Sequence, residues 1–257
     1  MTRTVVATLA LLGWAASAAA QQAPSSSVSV LTRGAFYLNA AHLGGSDDPR
    51  FRWDADFGGE LDLIDYTKGR FIFAANYEAI LGDQKQKFDP NQGNYILEGA
   101  LSARLKRFEA FAVFHHESRH LGDREKDQPV DWNMLGGRVT TSFLVNGTYF
   151  ETRADLRWTT EVAFVDYDWE LDTYMRADRL LRPGMGLFAA GGVRYLGVDG
   201  TAGRGNQTGY LAEGGFRVEG SGAALELFAG VERRIDPYPL ELSTATWMVA
   251  GFRLTSR

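Results

Sequence analysis

The stretch Phe51-Arg52-Trp53-Asp54-Ala55-Asp56-Phe57-Gly58-Gly59-Glu60-Leu61-Asp62-Leu63 changes character at nearly every residue. Its odd positions are Phe, Trp, Ala, Phe, Gly, Leu and Leu, and its even positions are Arg, Asp, Asp, Gly, Glu and Asp. Successive side chains of a β-strand point to opposite sides, so this run makes a ribbon with one greasy face and one charged face. The same period recurs along the rest of the chain. Phe71, Phe73, Ala75, Tyr77, Ala79 and Leu81 form one apolar series, and Tyr95, Leu97, Gly99, Leu101, Ala103 and Leu105 form the next. Phe150, Ala154, Leu156 and Trp158 then alternate with Glu151, Arg153, Asp155 and Arg157. Trp169, Leu171 and Met175 stand against Asp168, Glu170 and Asp172, and Tyr210, Ala212, Phe216 and Val218 against Glu213, Arg217 and Glu219.

Alternation alone also suits a soluble sandwich, whose greasy faces turn inward. Strand length and connection pattern separate the two. The alternating runs are about eleven to fourteen residues long, enough to cross a bilayer at a tilt and longer than most soluble strands. Short turns at Thr67-Lys68-Gly69, Lys106-Arg107, Asn146-Gly147, Leu181-Arg182-Pro183-Gly184 and Gly220-Ser221-Gly222 alternate with longer polar segments near 43–50, 83–93, 121–131, 159–165, 198–206 and 235–242. Short periplasmic turns alternating with longer external loops are the signature of an outer-membrane barrel. The fold class is therefore all-β: a transmembrane antiparallel up-and-down β-barrel of about twelve strands, with both termini in the periplasm.

The N-terminus fits that destination. Met1-Thr2-Arg3 is basic, the run from Thr4 to Trp14 is apolar, and Ala18-Ala19-Ala20 is a small-residue exit, the three parts of a secretory signal. Residues 1–20 read as a signal peptide and 21–257 as the barrel, located in the bacterial outer membrane. Beyond the signal no apolar stretch is long enough for a spanning helix. With no cysteine, the chain has neither disulfides nor thiolate metal sites. A net charge of -5 argues against a nucleic-acid partner, which needs a concentrated positive face.

The charged face mixes Asp and Glu with Arg. In a narrow lumen such side chains pair across the space, which predicts a plugged barrel rather than a wide pore. Trp53, Tyr95, Trp132, Trp158 and Trp247 lie near strand ends and read as an interfacial girdle.

One cluster carries possible chemistry. Of four histidines, three fall in Phe114-His115-His116-Glu117-Ser118-Arg119-His120-Leu121-Gly122-Asp123, where a strand reaches the outer leaflet. Counting parity back along it, His116, Ser118 and His120 share the lipid side with Ala110, Ala112 and Phe114, whereas His115, Glu117 and Arg119 face the lumen. The following strand opens Asp131-Trp132-Asn133, and Asn133 belongs to the apolar series of Leu135, Gly137 and Val139. A hairpin register can bring Asn133 beside His116. A serine, a histidine to take its proton and a polar group to orient the imidazole are the parts of a nucleophilic hydrolase.

At these residues the chain resembles outer membrane phospholipase A, also a twelve-stranded barrel, whose catalytic His-x-Ser lies on one strand and whose Asn, within a Trp-Asn pair, begins the next. The resemblance implies Ser118 as nucleophile, His116 as base and Asn133 as orienting residue of a lipid acyl-ester hydrolase. It also implies calcium as a cofactor and a homodimer as the active form. Acidic residues Asp123, Glu125, Asp127 and Asp131 offer oxygen ligands. The chain departs from the family in having Arg119 where an Asn follows the serine, and in a longer gap from Ser118 to Asn133. The run from His116 to Asp123 also resembles an uncharacterised outer-membrane group with a His-x-Ser-Ser-His-Leu-Gly-Asp stretch. Two other readings stay open: polar strand tips contacting lipid headgroups or lipopolysaccharide in a non-enzymatic barrel, structural or narrow channel, and a metal site of His116, His120 and Asp123.

Overall fold

The computed structural model describes residues 28–125 and 127–256; the expected signal peptide lies outside the described residues. Twelve strands follow one another: β1 (Ser29–Gly44), β2 (Trp53–Asp65), β3 (Arg70–Gly82), β4 (Asp89–Arg104), β5 (Glu109–Leu121), β6 (Asp131–Val145), β7 (Thr148–Ala163), β8 (Tyr167–Arg182), β9 (Met185–Val198), β10 (Gln207–Glu219), β11 (Ala223–Ile235) and β12 (Thr244–Ser256). Each pairs antiparallel with its sequence neighbour, and β1 pairs with β12 to close the barrel. Closure leaves no edge strand, so backbone N–H and C=O groups are satisfied within the sheet, as a lipid surround requires.

The faces sort as the alternation demands. Phe57, Phe73, Leu101 and Leu171 are exposed on the outside, with Leu61 paired beside Phe73. Asp56, Glu60, Glu98, Arg153 and Asp172 line the lumen. An apolar belt of this extent has no place in water, and lipid is its solvent. The chain is an outer-membrane β-barrel.

Inside, charges are shared among several partners. Glu226, fully buried, accepts hydrogen bonds from Arg176 at 2.7 Å, Arg217 at 2.6 Å and Arg253 at 3.0 Å. Arg138 grips Glu98 with two bonds of 2.6 and 2.7 Å and reaches buried Asp155 at 2.6 Å. Arg157 and Arg194 converge on Glu170. Burying an ion alone is prohibitive, whereas a multiply bonded carboxylate in low dielectric recovers most of its desolvation cost. Guanidinium planes also lie over aromatic rings, Arg176 on Phe188 at 4.3 Å and Arg253 on Phe228 at 4.9 Å.

The outer end of the lumen is stoppered. Trp132, Met134, Val130, Val165, Tyr167 and Leu196 form one apolar cluster, and Trp247, Leu43, Phe51, Ile80 and Val249 another. Trp132 and Trp247 are 0% and 1% exposed, so they are not girdle residues as the sequence reading has it. Parity explains the correction, because each sits on the inward series of its strand, one residue from outward Asn133 or Met248. Tyr95 and Trp158 do face outward. Between loops, Arg204 bridges Asp166 and Asp236 at 2.9 and 2.8 Å. Arg50 binds Asp48 at 2.8 Å and Glu241, and its guanidinium holds the Asp48 carboxyl below the usual carboxylate range.

Three further details differ from the sequence reading. The segments near 83–93 and 159–165 are not loops throughout, since β4 starts at Asp89 and β7 runs on to Ala163. A bulge between Asp62 and Ile64 removes Leu63 from the ladder, so Ile64 takes the outward place beside Phe71. Asp168, at a second bulge between Tyr167 and Trp169, is exposed, unlike its lumenal neighbour Glu170.

Three outcomes test this architecture. Replacing outward Leu101 by Arg lowers bilayer stability by about 2–4 kcal/mol, and Glu226→Ala, which strands three guanidiniums, lowers it by about 3–5 kcal/mol in the same refolding titration. Planar-bilayer recordings show no steady conductance, because the apolar stopper and the paired charges leave ions no path; a stable open-channel current contradicts the plugged lumen.

Candidate active site

β5 carries His115, His116, Glu117, Ser118, Arg119 and His120 on alternate faces near the loop end of the barrel. Glu117 and Arg119 turn inward and bind each other at 2.8 Å, with Arg119 stacked on Trp132 at 5.1 Å. His115 is also buried inside, bonded to Arg157 at 3.0 Å. His116, Ser118 and His120 are left on the outer face, where Ser118 lies opposite Tyr95 of β4 and His116 opposite Leu97.

On the other side His116 is register-paired with Asn133 of β6, and its Nδ1 lies 2.7 Å from Asn133 Oδ1. The Asn133 amide nitrogen donates to Glu161 Oε2 at 3.0 Å. Ser118 Oγ lies 2.9 Å from His120 Nε2, so its hydrogen-bond partner is His120 rather than His116. The three residues singled out from sequence thus share one face: His116 and Asn133 are in direct contact, and Ser118 is engaged by the next histidine along. His120 and Glu161 are the additions. Spacing alone reveals His120, which shares the parity of Ser118, whereas nothing in the local sequence puts Glu161 on this face.

An outward aromatic ladder leads to the same spot. Phe57 and Tyr77 have ring centroids 5.4 Å apart, Tyr77 and Tyr95 4.9 Å, and Tyr95 and His120 5.4 Å. Such rings settle at the interface between acyl chains and headgroups, which is the depth at which a lipid ester lies.

The remainder of the motif is structural. Gly122 donates its N–H to Asn91 O at 2.9 Å, and a Cβ on it would stand 2.1 Å from Pro90 O. Asp123 adopts a left-handed backbone with φ 48°. His116, His120 and Asp123 do not assemble into a metal site: among the described residues no group of three or more His, Asp or Glu side chains converges as ligands. Two backbone oxygens of this loop are bonded by cations, Gly122 O by Arg124 at 2.8 Å and Asp123 O by Lys85 at 2.5 Å. Among the described residues the acidic side chains named for calcium, Asp123, Glu125, Asp127 and Asp131, do not gather as a group of three or more ligands.

No protein-family model matches the chain, and no curated protein matches it. Among solved structures it is similar to an outer membrane channel from Pseudomonas putida F1, with TM-score 0.50 and 11% identity over 87% of this chain and 93% of that one. LpxR from Salmonella typhimurium aligns with TM-score 0.49 and 10% identity over 86% and 99% of the two chains. OmpT of Vibrio cholerae aligns with TM-score 0.45 and 10% identity over 91% and 98%. At these identities the likeness is one of fold, the outer-membrane β-barrel.

The close approach at Gly122 gives a measurable consequence. Gly122→Ala, which drives a Cβ into backbone, lowers thermal stability by about 1–3 kcal/mol, whereas Gly205→Ala, with no atom within 4 Å, leaves the melting curve in place.

Proposed function

We propose that the chain is a serine-type lipid acyl-ester hydrolase working at the outer-leaflet rim, with Ser118 as nucleophile, His116 as base and Asn133 as its orienting partner. The observation that carries this reading is the 2.7 Å contact between His116 Nδ1 and Asn133 Oδ1 on the lipid side of the barrel. Polar groups on that side are costly, and this set puts a serine on the same face as an imidazole, His116, whose Nδ1 already has a partner.

In the reaction, Ser118 Oγ attacks the ester carbonyl carbon while its proton passes to a histidine Nε2. The tetrahedral intermediate collapses as that histidine returns the proton to the departing lysolipid alcohol. Water then repeats the sequence on the acyl-enzyme, releasing a fatty acid and restoring the serine. A lipid reaches the site laterally from the membrane, so the stoppered lumen is no obstacle. In the resting arrangement His120 holds the hydroxyl, and a rotation of Ser118 about χ1 offers it to His116, which stands two residues away on the same face. Asn133 and the residues around it hold and orient.

Refolded protein in mixed phospholipid–detergent micelles tests the proposal. Wild type releases fatty acid, and Ser118→Ala and His116→Ala each remove most of the turnover without unfolding the barrel, since members of such a unit fail together. Asn133→Ala costs less, and His120→Ala leaves a slower enzyme. Loss in His120→Ala with retention in His116→Ala would transfer the base to His120. Full activity in Ser118→Ala, or none in wild type with and without calcium, leaves the headgroup-contacting barrel.

A further inference from the structure

Glu161 stands on the wrong side of the barrel for its place in β7. In that strand Glu151, Arg153, Asp155 and Arg157 belong to the charged series, while Phe150, Ala154, Leu156 and Trp158 belong to the outward one. Continued regularly, that parity would put residue 161 in the lumen. The register shifts instead: Met134 pairs with Thr159, but Asn133 pairs with Glu161, so Thr160 is an extra residue in β7. The bulge reverses the parity of the residues beyond it and delivers the carboxylate to the outside next to Asn133. Thr160 ties the bulge down by donating its hydroxyl to Asn133 O at 3.3 Å.

A carboxylate on the lipid side is unfavourable, more so toward mid-membrane, and a bulge that re-aims one side chain does so for a reason. Here the reason is local chemistry. An ionised carboxylate only accepts hydrogen bonds, so the Asn133 group 3.0 Å from Glu161 Oε2 is the NH2. The amide is planar with one oxygen, and that oxygen therefore faces His116. An amide oxygen also only accepts, so the Nδ1 at 2.7 Å carries the hydrogen. In a neutral imidazole the remaining nitrogen, Nε2, then holds the lone pair.

We infer that Glu161 is a positioning residue that, through Asn133, fixes His116 as its Nδ1–H tautomer and so keeps Nε2 ready to accept a proton. Without Glu161 the Asn133 amide has no preferred sense. Rotated by half a turn it presents NH2 to Nδ1, which favours the opposite tautomer, in which Nε2 bears hydrogen and cannot act as a base. The kinetic consequence of this inference rests on the proposed hydrolase; the tautomer itself does not.

The test reads the ring directly. The full chain, carrying ¹⁵N-histidine and refolded in detergent micelles, is observed by long-range ¹H–¹⁵N correlation well above the ordinary histidine pKa of about 6.5. His116→Gln identifies the His116 signals among the four histidines. Wild type shows a protonated Nδ1 and a bare Nε2. Glu161→Leu loses that pattern, moving to a mixture or to the opposite tautomer, and Glu161→Gln, whose side-chain oxygen can still accept, restores it. An Nε2–H tautomer in wild type, or an unchanged ring in Glu161→Leu, overturns the inference. Migration of the unboiled protein as a compact band on SDS gels certifies each variant as folded. In the hydrolysis assay Glu161→Leu lowers kcat about tenfold with KM little changed, and Glu161→Gln recovers most of it. Absence of turnover in wild type counts against the hydrolase alone, since the ring nitrogens still decide the role of Glu161.

Discussion

Closing twelve amphipathic strands into a ring takes many charged side chains of the inner face out of bulk water, Asp155, Glu170 and Glu226 among them. The structure depends on meeting that constraint. Carboxylates and guanidiniums are met in groups rather than pairs, with Glu226 serving three arginines and Glu98 serving Arg138 twice. A group of this kind crosses the lumen between distant strands, so it fixes shape as well as charge: Arg234 of β11 binds Glu78 of β3 at 2.9 Å across the barrel. The apolar belt outside requires only lipid, whereas the inner face requires particular partners at particular heights.

The outer rim follows a different rule. There the Trp132 and Trp247 clusters add apolar packing beside the ions, and loops are cross-tied through Arg204 and Arg50. A rigid rim matters for any chemistry on the outside of the wall, because strands position a side chain more accurately than loops do. His116, Ser118 and Asn133 all project from paired strands. Their backbones are held from behind by the lumenal contacts of Glu117, Arg119 and Trp132, which occupy the alternate positions of the same strands. The plug and the candidate site are thus two faces of one hairpin.

Much of this was legible in the residues themselves. Alternation in the run from Phe51 to Leu63 carries the lipid and lumen faces, because a strand has a strict period of two and bilayer and lumen differ sharply in polarity. Turn residues such as Asn146-Gly147 mark the hairpins, and Asn146 and Gly147 both take the left-handed backbone such a turn needs. The pairing of His116 with Asn133 was reachable from parity as well, since both lie on apolar series of adjacent strands. Parity also contained the lumenal fate of Trp132 and Trp247, obscured by the general preference of tryptophan for interfaces.

Sequence by itself determined the barrel, its strand number, the lipid and lumen series of each regular strand run and the face shared by His116, Ser118 and Asn133, because each follows from a local period imposed by backbone geometry. Only the tertiary structure decided the rest. Side-chain conformation gave the Ser118 hydroxyl to His120 rather than to His116, and bulges at Leu63, Thr160 and Asp168 reset parity where no composition announced it. A bulge is one residue without a ladder partner, and whether a residue has a partner is a property of two strands at once. For that reason Glu161, lumenal by its own strand's count, stands outside beside Asn133.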